Sequence, residues 1–247
     1  MKKTLLLTSL CIAAVFVSQT AQAGVKIRAG AGSSTYELTG DYPANGVADY
    51  NPVSLGVTYA FDNGLYIDLG GSSGSGTHNG WRALGFPAEN FERTDFALTF
   101  GKGMVNENNG IAGGFYVGYK SGKTTLGAEN TGLSWTQETF TTSGVVFGGG
   151  MSFPIASGRA GSVGVNLGLG VMGTEWQDTN GWDKKSDVGV GYSIGANYTY
   201  PFTPNFGVVI DYRLNSYKYD FGNILGKVQF MINEDVSSLG ATVYAKF

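Results

Sequence analysis

The stretch that decides the fold is Val188–Phe202, which reads VGVGYSIGANYTYPF. Val188, Val190, Tyr192, Ile194, Ala196, Tyr198, Tyr200 and Phe202 take every second position. Gly189, Gly191, Ser193, Gly195, Asn197 and Thr199 lie between them. A period of two sends each set to its own face of a β-strand. One face is large and apolar; the other is small and polar; neither is charged. A soluble sandwich buries its large face and exposes charge on the other. A small polar face suits instead the inside of a barrel, with the large face turned to lipid.

The same alternation recurs in runs starting near Val25, Val53, Leu65, Phe96, Ile111, Val145, Val163, Phe206 and Leu239. No useful 3.6-residue period follows Gly24. Connections alternate in length. Short ones are Asp62-Asn63-Gly64, 103–110, 154–162 and 203–205; long ones are 39–51, 72–93, 121–143, 173–187 and 218–238. Short periplasmic turns and long outer loops are the rule for membrane barrels. An open sheet would leave its edge amides unpaired in hydrocarbon, so the first strand must pair with the last. The pattern predicts an all-β fold. It is a transmembrane antiparallel up-and-down β-barrel of about ten strands, with eight or twelve as alternatives, formed by 24–247 as one domain. The runs at Val25, Leu65 and Phe96 are short and must extend into their flanks to cross a bilayer.

Composition narrows the alternatives. The 247 residues include 40 Gly, and 14% are charged, against averages of about 7% Gly and about 25% charge. Low charge with many aromatics excludes a disordered chain. Acids (19) outnumber bases (16) with no basic cluster, so no nucleic-acid partner is expected. Residues 1–23 read as a cleaved signal peptide: Lys2 and Lys3, an apolar middle from Leu5 to Val17, then Ala21-Gln22-Ala23. The single Cys, Cys11, lies inside it, and the preceding Leu10 argues against a lipoprotein site. The mature chain then has no disulfide, and a closed sheet must supply its stability.

Aromatics gather near strand ends (Tyr59, Phe61, Tyr198, Tyr200, Phe202, Phe206, Tyr212), as in a membrane-interface girdle. Phe247 ends the chain, with Ala245, Val243, Ala241 and Leu239 at alternate positions behind it. This resembles the C-terminal strand of Gram-negative outer-membrane β-barrel proteins, and the mature chain looks like the small porin-like barrel superfamily. The resemblance implies residence in the outer membrane, contact with its lipid and lipopolysaccharide, and recognition of Phe247 by the barrel assembly machinery. One departure is that Tyr244 lies on the opposite face from Phe247, whereas family members often carry an aromatic two residues before the end.

On this assignment the sparse strand charges point inward: Lys26, Arg28, Asp68, Asp95 (with Arg93 above it), Lys120, Asp211 and Arg213. The strands of Lys26 and Asp211 flank the last strand. Lys26 and Arg28 are therefore expected to approach Asp211 and Arg213 across Gly240 and Thr242. Three readings stay open: a structural salt-bridge network, the lining of a narrow channel, or a catalytic site. The glycines of three consecutive runs (Gly148, Gly150, Gly164, Gly168, Gly170, Gly189, Gly191, Gly195) predict a lumen open on one side, crowded on the other, and wet rather than sealed.

Trp81, Phe86, Phe91 and Phe230 are candidate contact residues in the outer loops, since large exposed apolar groups mark interaction surfaces. Val228, Phe230 and Ile232 alternatively extend a strand above the membrane. Gln137 and Thr139 continue the register of Leu133 and Trp135, which predicts a long outward hairpin. His78, the one histidine, is expected in a solvated glycine-rich loop rather than as a catalytic base. One His and carboxylates without calcium-loop spacing give no metal site, and no cofactor motif is present, so no enzyme activity is expected. Three functions follow: a porin-like or structural barrel passing small solutes through a narrow polar lumen, a loop-mediated binding or adhesion barrel with a host or envelope ligand, and, last, an outer-membrane hydrolase, ten strands being the count of the omptin-type proteases.

Overall fold

The computed structural model describes residues 23–41, 45–79, 89–127, 137–156, 160–178, 181, 183–222 and 229–247. Residues 1–22 of the signal segment and the loop candidates Trp81, Phe86, Leu133, Trp135 and Val228 lie outside them. Twelve strands form among these residues: β1 Gly24–Gly40, β2 Gly46–Tyr50, β3 Val53–Ala60, β4 Leu65–His78, β5 Glu89–Val105, β6 Ala112–Leu126, β7 Glu138–Pro154, β8 Ser162–Asp178, β9 Asp183–Lys185, β10 Gly189–Thr203, β11 Phe206–Asp220 and β12 Met231–Lys246.

These make ten staves. β2 and β3 are one stave interrupted at Asn51-Pro52, where proline has no amide to donate; the register against β1 is the same on both sides. β9 and β10 both pair with β8, one residue out of step, and form a second interrupted stave. Each stave pairs antiparallel with its neighbours, and β1 pairs with β12 over Lys26–Gly40, which closes the barrel. Crossing from Thr39 through Asn233, Lys218, Val190, Val171, Val145, Tyr119, Leu98, Leu69 and Val57 returns to β1 at Ile27. The shear is therefore 39 − 27, or twelve residues. Ten staves with this shear tilt by about 40° and enclose a backbone radius of about 10 Å.

The three short runs do extend into their flanks: β4 has 14 residues and β5 has 17. Much of what the sequence assigned to long loops is strand. At the periplasmic end the turns are tight, as at Gly64 (φ 80°), whose amide donates to the Phe61 carbonyl. A side chain at that positive φ would be strained.

The outward face is an apolar belt that includes Ile27, Leu55, Phe100, Val117, Phe147, Leu167, Ile194, Ile210 and Val243. At its lower rim Tyr59 meets Phe61 at 4.8 Å, and Phe202 lies between Tyr200 and Phe206 at 5.5 and 5.7 Å. Above the belt the two faces exchange character without changing parity. On β1 the outward series Ile27, Ala29, Ala31 passes to Ser33, Thr35, Glu37. The inward series Lys26, Arg28 passes through Gly30, Gly32 and Ser34 to Tyr36 and Leu38, which are 0% and 1% exposed. The membrane part is polar inside and apolar outside; the projecting part is built like a soluble protein. Its core holds Tyr36, Leu38, Phe91, Leu126, Phe140, Trp176, Tyr219, Phe230 and Ile232.

Candidate functional site

The lumen holds every chemistry-bearing side chain that the sequence placed there, arranged in levels. At the periplasmic level Arg28 on β1 bonds Asp68 on β4 at 3.0 Å and Thr58 on β3 at 3.3 Å, and Thr58 donates to Asp68. Arg28 and Asp68 are 6% and 1% exposed. The guanidinium packs where a side chain at Gly56 would stand. The expected approach of Arg28 to Asp211 is thus replaced by a pairing in the other direction round the wall. Lys26 lies over the Tyr244 ring at 4.6 Å, and Lys246 lies over the same ring at 5.4 Å. Tyr244 points into the lumen across Gly207, while Phe247 is at the outer surface.

Above this level is a polar chamber of about 130 Å³, lined by Lys120, Asp211, Arg213, Tyr116 and Asn166 among others. Lys120 sits 5.3 Å above the Tyr217 ring. The glycine-rich wall is not open. Tyr116 reaches from β6 across Gly148 on β7 and Gly168 on β8; Tyr217 covers Gly170 and Gly191; Tyr219 covers Gly189; Asn166 covers Gly195. The glycines are places where a neighbouring strand's large side chain lies flat against the backbone. This overturns the expected lopsided lumen: the bare side is covered by tyrosines from β6 and β11 and by Asn166 of β8 itself.

The chamber is roofed by a clamp across the barrel. Arg93 on β5 chelates Asp95 with two bonds of 2.9 Å and donates to Thr124 at 2.8 Å. The amino group that bonds Thr124 also pairs with Glu234 on β12, four staves away. Glu234 also accepts from Tyr219 at 3.2 Å and Thr142 at 3.3 Å. Arg93 and Glu234 are 5% and 3% exposed. Buried charge of this kind persists only when fully partnered, and Glu234 completes the partnering. Sequence reasoning missed Glu234. Its parity with Gly240, Thr242 and Tyr244 on β12 was the available signal.

Over the clamp lies the apolar core, where Trp176 stacks between Phe140 at 5.4 Å and Phe230 at 6.0 Å. Phe91 and Phe230, taken as loop contacts, are 0% and 1% exposed and form part of this core. Phe230 extends the β11–β12 hairpin through backbone bonds with Phe221 and Gly222. His78 is also corrected. It ends β4 facing inward, wholly buried beside the β2 and β5 rungs of Ala48 and Glu89. Desolvation lowers its pKa to about 4. Among the described residues no group of His, Cys, Asp and Glu is placed to hold a metal ion.

No family model matches the chain. No curated protein matches it in sequence. Solved structures with a related fold include Neisserial surface protein A (14% identity, 90% of this chain and 97% of that one, TM-score 0.40). Others are the attachment invasion locus protein Ail of Yersinia pestis (13%, 89% and 97%, 0.38) and the outer membrane protein OprG from Pseudomonas aeruginosa (11%, 94% and 99%, 0.39). The likeness is one of fold. A closed ten-stave wall with a continuous apolar belt, flanked by aromatics, is a structure for hydrocarbon. The protein is an integral outer-membrane β-barrel. The Arg93–Glu234 pair and the aromatic core above it lie across its lumen.

Proposed function

We propose that this barrel is a non-conducting scaffold that acts through its extracellular end, by binding or adhesion, and not by passing solutes. The observation that carries the reading is the clamp from Arg93 to Glu234 beneath a filled aromatic core. A solute path would have to break a buried ion pair and displace that core together. The strands also rise past the belt as a rim with a polar exterior, bearing Glu37, Asp49, Glu92, Lys123, Glu175, Lys218 and Asp235 outward. A core inside that rim stiffens the base of the loops, and rigid support is what a binding surface needs. The protein is read as non-catalytic. Its one histidine is shielded inside the rim, out of reach of an external substrate. Phe247 as the assembly signal, and lipopolysaccharide as the lipid neighbour, belong to the same proposal.

Removal of 80–88 tests it. A wider deletion from Ser72 to Arg93 would take away strand residues and the clamp. The shorter deletion should leave heat-modifiable migration intact and abolish adherence of bacteria displaying the barrel to a host-cell monolayer. Proteoliposomes of the intact protein should not swell in isosmotic arabinose. Swelling at porin-like rates would contradict the proposal.

A further inference from the structure

The periplasmic level of the lumen carries more positive charge than its neighbours neutralise. Its inward charges are Lys26, Arg28, Lys246 and Asp68. Asp68 is committed to Arg28 and Thr58. Asp211, the next acid up β11, lies on the same face as Arg213. Neither Lys26 nor Lys246 forms an ion pair among the described residues. They are also direct cross-strand partners in the β1–β12 ladder, a placement in which like charges repel. Lys26 is 9% exposed, and its Nζ is buried with no hydrogen-bond partner. The hydroxyl of Tyr244, the residue whose ring both ammonium groups approach, is a second buried donor with no partner.

A buried ammonium group with no acceptor is costly. Lys26, with the ammonium of Lys246 over the same ring and an unused hydroxyl beside it, forms a site that lacks its anion. We infer that the periplasmic mouth of the lumen binds a small oxyanion of the phosphate class between Lys26 and Lys246. Lys246 is half-exposed at the mouth and provides the way in. The ion neutralises the like-charge pair and ties β1 to β12 at the seam where the barrel closes. The oxyanion's source is either free phosphate or the phosphodiester of an inner-leaflet lipid.

The probe is inorganic phosphate added to the folded protein in an uncharged maltoside detergent, followed by thermal unfolding and calorimetric titration. Phosphate at a hundredfold excess over its dissociation constant should raise the unfolding temperature by about 5 °C. Lys26→Met should abolish both the shift and the heat of binding. Without phosphate, Lys26→Met should match or exceed the wild type in stability, because it removes an unpaired buried charge. Lys246→Gln should weaken binding at least tenfold, whereas the outward Lys123→Gln should leave it unchanged. If phosphatidylglycerol micelles give the shift and free phosphate does not, the ligand is a lipid headgroup held by the same groups. If neither gives a shift, or if Lys26→Met destabilises the protein and leaves the phosphate response as it was, Lys26 serves only to pack on Tyr244 and the inference fails.

Discussion

Replacing Glu234 with Ala is the most informative single perturbation of the lumen. It removes one of the two carboxylates on Arg93 and the acceptor used by Tyr219 and Thr142. Deleting one partner of a buried ion pair costs about 3–5 kcal/mol. Arg93 keeps its two bonds to Asp95, which places this term near the lower limit, about 3 kcal/mol. The Tyr219 hydroxyl, losing its charged acceptor, adds about 1 kcal/mol. The expected loss is about 4 kcal/mol, a large share of the roughly 5–15 kcal/mol that typically holds a folded protein together. Glu234→Gln, which keeps an acceptor for Tyr219 but not the charge, should lose about half as much. Urea unfolding in phospholipid vesicles, followed by the electrophoretic shift between folded and unfolded bands, gives both values. A Glu234→Ala barrel within 0.5 kcal/mol of the wild type would refute the clamp as a structural element.

Other expectations are as specific. A Cβ at Gly148 would stand 2.7 Å from the Tyr116 hydroxyl, whereas one at Gly173 meets nothing within 4 Å. Gly148→Val should therefore cost about 1–3 kcal/mol, and Gly173→Ala should change stability by no more than about 0.5 kcal/mol, both read from the temperature at which the folded band disappears. His78 titrates near 4 when folded and near 6.5 when unfolded. Its neutral form is the one the fold accepts, so stability is full above pH 6.5 and falls as the pH drops towards 4, by at most about 3 kcal/mol. Hydrogen exchange at the upper ends of β2, β4 and β5, corrected for intrinsic rates, should rise over that interval. His78→Phe should remove the rise; an unchanged profile in that variant would show that another group is responsible.

Much of this was legible in the sequence because a strand's period of two sorts side chains whatever their partners are. Lys26, Arg28, Asp68, Asp95, Lys120, Asp211 and Arg213 each take the inner parity of their own strand, as Gly189 and Gly191 do on β10, and all point inward. Parity does not say which of them touch. Arg28 meets Asp68 rather than Asp211 because the shear of twelve residues and the gap at Gly56 bring β4 within its reach. Nor does parity show that a glycine is filled. The space at Gly148 and Gly168 is taken by Tyr116 from another strand, a fact of register that no single run contains. The apolar core was in principle readable. Tyr36, Phe91, Phe140, Trp176, Tyr219 and Phe230 all keep the inner parity of their own strands. For Phe91 and Phe230, size and position beyond the belt suggested loop contacts, since the inner face of a membrane barrel is expected to be polar along its whole length.

Single-channel recording of the purified, folded protein in a planar bilayer reads directly whether the lumen is closed. A closed lumen gives a flat current at 100 mV in molar salt, with steps appearing only when the clamp is broken together with the core above it, as in Glu234→Ala combined with Trp176→Ala. Regular conductance steps from the unaltered protein would contradict it.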